Sequence, residues 1–235
     1  IRSKDTHMKT KKLGKWLENY WYHYKWQTLI ALFLIVVAAV CIGQMVTRTD
    51  PDVSVIYGGP CELTANQIHE VDLALSSLLP EDYNRDGERS AELVHFLLMT
   101  DDQRKALLEQ AAQESRPLVI NTKNLEQNRT NFTTQIAVGD ASICFLDPVW
   151  YETVRENNGF VTLESILGFR PDGALDDYSV RLCDLPFAQY FDAFSVFPDD
   201  TVVAFRQKSI TGGAGSGELY EHAAAMFRSL MAWRG

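Results

Sequence analysis

The longest apolar stretch in the chain, Thr28 to Val46, carries no charge across nineteen consecutive positions. At about 1.5 Å per residue a helix of that length spans roughly 28 Å, close to the ~30 Å hydrocarbon core of a bilayer. In lipid a helix pairs its own backbone groups, so the run predicts a transmembrane helix over 28–46. Ahead of it, Leu13, Trp16, Leu17, Tyr20, Trp21 and Tyr24 recur along one helical face, with Lys12, Lys15, Asn19 and His23 off it. Residues 8–27 therefore predict a basic interfacial segment. Trp16, Tyr20, Trp21, Tyr24 and Trp26 are its anchors, because indole and phenol rings suit the headgroup layer. From Met8, five lysines (Lys9, Lys11, Lys12, Lys15 and Lys25) precede the run, whereas Arg48 alone follows it before Asp50. That bias predicts a cytoplasmic N-terminus and an extracellular remainder. Residues 47–51 read as a linker, and residues 1–7 as a cloning scar or a mis-set start ahead of Met8.

Two other readings of the run compete. A cleaved signal peptide has a shorter apolar core and a small-residue cleavage site, and Gly43-Gln44-Met45-Val46 offers none. Ala38-Ala39-Val40-Cys41 loosely resembles a lipidation box, in which Val before the cysteine fits poorly.

Past residue 51 the pattern alternates between strand and helix periods. Strands are predicted over 52–57, 91–99, 117–121, 142–146, 179–184 and 201–206. Helices are predicted over 63–79, 101–114, 128–138, 149–156 and 218–233. Asp147-Pro148 supplies an N-cap and a first-turn proline for the helix at 149. Thr211–Gly217 is glycine-rich but lacks the Lys-Ser/Thr of a phosphate-binding loop, and reads as a flexible connection. Strands alternating with helices predict one layered α/β domain over 52–235 with a mainly parallel or mixed sheet.

Charge sharpens this division. Eight of the 22 basic residues lie before residue 51, against three of the 31 acidic ones, so the domain is strongly acidic. Such a surface excludes nucleic acid as a partner, which needs a basic footprint. Cys61, Cys144 and Cys183 follow the run with no C-x-x-C among them, which indicates neither a disulfide framework nor a zinc site.

The densest chemical motif is Asp82-Tyr83-Asn84-Arg85-Asp86-Gly87-Glu88, a D-x-N-x-D-G pattern. There Asp82, Asn84, Asp86, the Glu88 carbonyl and Ser90 are candidate ligands of a structural Ca2+ ion. Position 12, where an EF-hand places a bidentate Glu, is Leu93, so a helix–loop–strand variant is expected rather than an EF-hand. The competing reading is a plain Asx-rich turn, since turns favour the same residues. The loop resembles the calcium loop of galactose-binding periplasmic proteins.

The order of basic aromatic anchor, strand, helix, D-x-N-x-D-G loop and strand resembles single-pass membrane proteins of clostridia-like Gram-positive bacteria. Gly139-Asp140-Ala141 leading through a strand to Asp147-Pro148, with Leu185-Pro186-Phe187 and Pro198-Asp199-Asp200-Thr201 later, resembles extracellular solute-binding proteins. That resemblance implies a reduced, single-lobe form of the type II periplasmic-binding fold. It implies a membrane-anchored ligand-binding or sensing module for a small solute or peptide. Tyr57, Trp150, Tyr151 and Phe187 are candidate aromatic lining. The alternative is a non-catalytic accessory subunit of a membrane complex such as a transporter. No enzyme is expected: His69-Glu70 lacks the second His of a metalloprotease helix, His95 sits in an apolar strand, and no G-x-S-x-G occurs.

Overall fold

The computed structural model describes residues 4–47, 50–115, 117–208 and 216–234. The chain divides into two compact units, residues 1–50 and 51–235.

The first unit holds one helix, α1 (Lys4–Thr47). The expected junction between interfacial segment and span at residues 27 and 28 is not a break, and the helix runs through it. Its Tyr20–Cys41 stretch has a mean hydropathy of 1.9, is long and apolar enough to cross a membrane, and buries nothing within the protein. Tyr20, Trp21, Tyr24 and Trp26 are all exposed, with Tyr20 and Tyr24 stacked at 5.3 Å between ring centroids. Trp16 lies in the helical turns whose side chains are outside the described residues.

The second unit is built on a five-stranded sheet. In chain order its elements are β1 (Val53–Gly59), α2 (Ala65–Ser76), β2 (Ala91–Leu97), α3 (Asp101–Gln113) and α4 (Thr122–Val138). Then come β3 (Ile143–Leu146), α5 (Pro148–Glu156), α6 (Leu163–Leu167), β4 (Ser179–Arg181), α7 (Pro186–Tyr190), β5 (Val202–Phe205) and α8 (Ser216–Ala232). The strand order is β2-β1-β3-β5-β4. β1 runs parallel to both β2 and β3, with Val53 opposite Ala91 and Val55 opposite Ile143. β5 is antiparallel to β3 and to β4, which makes the sheet mixed.

The sheet is covered on both faces because its central strands have no polar alternation: β3 and β5 are buried along their whole length. On one face Val55, Tyr57, Ile143 and Phe205 pack with Val71 and Leu75 of α2, with Phe227 of α8, and with Phe187 and Phe194. On the other, Ile56, Cys144 and Leu146 pack with Phe132 of α4 and with Trp150 and Val154 of α5. Gly58 is required at the crossing of the second layer, since a Cβ there would lie 3.0–3.1 Å from Leu146, Leu98 and Phe132. Complete burial pushes the Cys144 thiol up to about 12.

Several local expectations are corrected. Residues 117–121 form no strand: they have no partner strand, and Val119 is 93% exposed. Residues 179–184 give only three strand residues before the chain tightens into a 3-10 turn at Leu182–Asp184. The helix expected over 63–79 is shorter, opened by a reciprocal Thr64–Gln67 capping box and finished at Ser76. Residues 209–215, most of the expected glycine-rich loop, lie outside the described residues, while Ser216 and Gly217 already belong to α8.

Candidate functional site

Two polar constellations sit at opposite ends of the parallel strands. The first, at the amino end of β1 and β2, contains the D-x-N-x-D-G loop. Asp82 accepts from the N–H groups of Arg85 (2.7 Å) and Gly87 (2.9 Å), one on each carboxylate oxygen. Asn84 Oδ1 accepts from Asp86 N–H at 2.9 Å, and Asp86 Oδ1 accepts from Glu88 N–H at 2.9 Å. Asn84 Nδ2 donates to Asp86 Oδ2 at 3.1 Å. The turn needs a left-handed backbone at Arg85 (φ 61°) and at Gly87 (φ 101°), and only the second falls on glycine. Ser90 contributes its N–H to Asp52, while its hydroxyl is buried with no hydrogen-bond partner.

The organiser of this loop is Asp52, which sequence reasoning assigned no role. It is 2% exposed; its Oδ1 accepts from Tyr83 and Asn84 N–H, both at 2.8 Å, and its Oδ2 accepts from Ser90 N–H at 2.9 Å. Ser90 returns a bond, its carbonyl accepting from Asp52 N–H at 2.9 Å. The acidic side chains of the loop are thus turned on the chain's own amides. Among the described residues no group of three His, Cys, Asp or Glu side chains converges as a metal site.

The second constellation lies at the carboxyl end, around a cavity of about 280 Å³. In open α/β sheets this is the end where ligands bind, because the strand ends and the first turns of the following helices leave a crevice there. Leu98, Met99 and Thr100 enter it from the end of β2, and Asp101 and Arg104 from the first turn of α3. Thr122, Leu125, Glu126 and Arg129 of α4 form a second wall, and Val149, Trp150 and Thr153 of α5 a third.

A bonded network fixes these helix starts relative to one another. Thr100 and Gln103 form a capping box on α3, with Gln103 Oε1 accepting from Thr100 N–H at 2.9 Å. The Gln103 amide nitrogen donates to Asp147 Oδ2 at 2.8 Å, and Asp147 Oδ1 accepts from Val149 N–H at 2.9 Å to cap α5. Asp147 is 6% exposed, and its own N–H donates to the Gly58 carbonyl at 2.9 Å. Asn128 Nδ2 donates to the Leu97 carbonyl at 3.3 Å, which holds α4 against the end of β2.

Two groups on the cavity are left over after this bonding. The Arg129 guanidinium lies over the Trp150 ring at 5.5 Å and makes no ion pair among the described residues. The indole Nε1–H of Trp150, a side chain 9% exposed, is buried without a hydrogen-bond partner. Arg104, by contrast, is bound to Asp101 at 3.0 Å.

Of the four aromatics expected to line a pocket, only Trp150 does. Tyr57 and Phe187 are fully buried in the core, and burial followed by the charge of Cys61 raises the Tyr57 hydroxyl. Tyr151 stacks on Phe160 and donates to Asp176 Oδ2 at 2.5 Å. Arg129 and Gln103 escaped sequence reasoning. The T-x-x-Q signature at Thr100–Gln103, directly after a strand, is the signal that marks the second of them.

No family model, curated protein or solved structure matches the chain.

Proposed function

We propose that the chain is a tethered, non-catalytic ligand-binding or sensing module of the solute-binding type. In this reading α1 anchors it in the cell membrane with its N-terminus cytoplasmic, and the α/β domain works outside the cell. The observation that carries the reading is the carboxyl-end cavity, walled by three helix starts and holding an unsatisfied indole N–H. Buried polar groups are nearly always paired, so an orphan beside an open cavity is what a binding site without its ligand presents. A thermal-shift screen of small solutes against the full chain in lipid nanodiscs tests it. Hits are expected to lose their effect in Trp150→Ala; a screen with no hits, or hits indifferent to Trp150, rules the cavity out as the site.

One surface favours the accessory-subunit reading. Tyr190, 67% exposed, packs beside Phe191 and Trp233, with its ring 5.0 Å from the indole of Trp233. Clustered exposed aromatics are typical of protein contact sites. Loss of a co-purifying membrane partner on Tyr190→Ser would favour that reading over the first.

A structural Ca2+ ion at Asp82, Asn84, Asp86, the Glu88 carbonyl and Ser90 belongs to the same proposal, supported by the D-x-N-x-D-G spacing. Because Asp82, Asn84 and Asp86 already accept N–H bonds, the ion would share oxygens that the turn uses. Calcium at ten times its dissociation constant should then stabilise the chain by about 1.4 kcal/mol over EDTA. An unchanged melting temperature at millimolar calcium makes the loop a plain turn.

A further inference from the structure

The chemistry of the cavity narrows the class of ligand, and this step rests on the ligand-binding reading above. Leu98, Leu125 and Val149 supply apolar lining, and the indole of Trp150 a flat wall. A volume of about 280 Å³ sits at the lower end of ligand sites, so the occupant is of metabolite size rather than a peptide. Polar complementarity is concentrated on one side. The first turns of α3, α4 and α5 all open on the cavity through Asp101, Thr122 and Val149, and helix starts favour negative charge. Their field alone marks no site, but the buried Trp150 N–H is a donor with nothing to donate to, which calls for an acceptor.

The charged side chains decide between kinds of acceptor. Asp101 and Arg104 neutralise each other. Glu126 and Arg129, three residues apart on α4, both line the cavity without pairing, so Arg129 keeps its charge uncompensated and its plane held on the indole. A guanidinium fixed flat on an aromatic ring presents its N–H fork for planar, bidentate binding of an oxyanion. One free cation beside an exposed acid matches a single negative charge better than the two of a phosphate monoester.

We propose that this cavity binds a small monocarboxylate with an apolar body. The carboxylate lies on Arg129 and accepts from the Trp150 indole N–H, and the hydrocarbon part lies against Leu98, Leu125 and Val149.

The test follows the indole N–H resonance of Trp150, assigned by its loss in Trp150→Phe, in the full chain in detergent micelles. Three probes share one ring and differ in the head: phenylacetate, phenylacetamide and phenethylamine. Phenylacetate is expected to shift the resonance saturably, with the amide and the amine at least about tenfold weaker. Arg129→Met should weaken phenylacetate by about tenfold, and Arg129→Lys by less, because an ammonium keeps the charge but loses the fork. Arg129 is exposed, so both variants should melt with the parent; Glu126→Gln should leave binding unchanged or tighter. Equal binding of acid and amide, or tighter binding of the amine, overturns the carboxylate assignment and leaves the cavity standing as a ligand site. No saturable shift with any probe overturns both.

Discussion

The two ends of the parallel strands each hold a buried aspartate that gathers backbone amides, yet they come to opposite results. At the amino end Asp52 and the Asp82–Glu88 loop match acceptors to N–H donors within a single turn-rich segment. At the carboxyl end Asp147 uses its acceptors to tie α3 to α5, and the helices so fixed enclose space, an unpaired guanidinium and an orphan indole N–H. The region richest in recognisable motif is the one whose bonding is internal. The region with leftover valence has no motif at all. A motif describes a short run of chain, whereas a binding site is made by what separate elements fail to satisfy in one another.

The comparison breaks most visibly at Asp52. Asp52→Ala removes the acceptor from three N–H groups in a buried place and should cost about 3 kcal/mol or more, read by urea unfolding of the full chain. A loss below about 1 kcal/mol would mean that water replaces the carboxylate and that the loop is not organised from Asp52. Asp147→Ala should cost about 2 kcal/mol through the α5 cap and the Gln103 bond, and should also loosen the cavity, abolishing any ligand shift. Asp82→Ala, on a more exposed turn where water can substitute, should cost about 1 kcal/mol and leave ligand binding alone.

A third carboxylate gives a reading by pH. Burial alone would raise the Asp176 carboxyl, but bonds from the Tyr151 hydroxyl, the Tyr178 N–H and the Ser179 hydroxyl outweigh it and hold it below its usual 3.8. A depressed folded value contributes stability that is complete above 3.8 and is lost as pH falls through the folded value. Tyr151→Phe should therefore flatten the acid limb of the stability profile; an unchanged limb would show that the bond does not stabilise the charged form.

The smallest expected effect is the most pointed. Trp150→Phe keeps most of the buried ring and removes a donor that bonds to nothing, so it should cost less than about 1 kcal/mol. A larger loss would show that the indole N–H has a partner in the free protein, and would remove the main contrast between the two ends.

What the sequence discloses follows the same divide between local and shared features. The charge-free run at 28–46, the β-branched strand ending at Gly58-Gly59 and the Asp147-Pro148 cap are all local, and each stands where the pattern placed it. Residues 160–197 were not legible beyond one short strand. Their helices α6 and α7 are five residues each, too short to show a period, and are held by the distant ring contacts of Phe187, Phe194 and Phe197. The direction of β5 was also hidden, since a fully apolar strand reads the same parallel or antiparallel. At the site, Trp150 was one of four aromatics named on type alone. Arg129 had no distinguishing neighbour in sequence, because its partner ring lies on another helix.

The thiol of Cys144 gives the domain a clock of its own. Wholly enclosed and pushed up to about 12, it is neither reachable nor appreciably ionised in the folded state at neutral pH. Alkylation at that one residue, followed by mass spectrometry, proceeds only through molecules that have opened. Its rate therefore counts opening events in the intact chain without denaturant, and slowing on addition of a solute would measure how long an occupied domain stays closed.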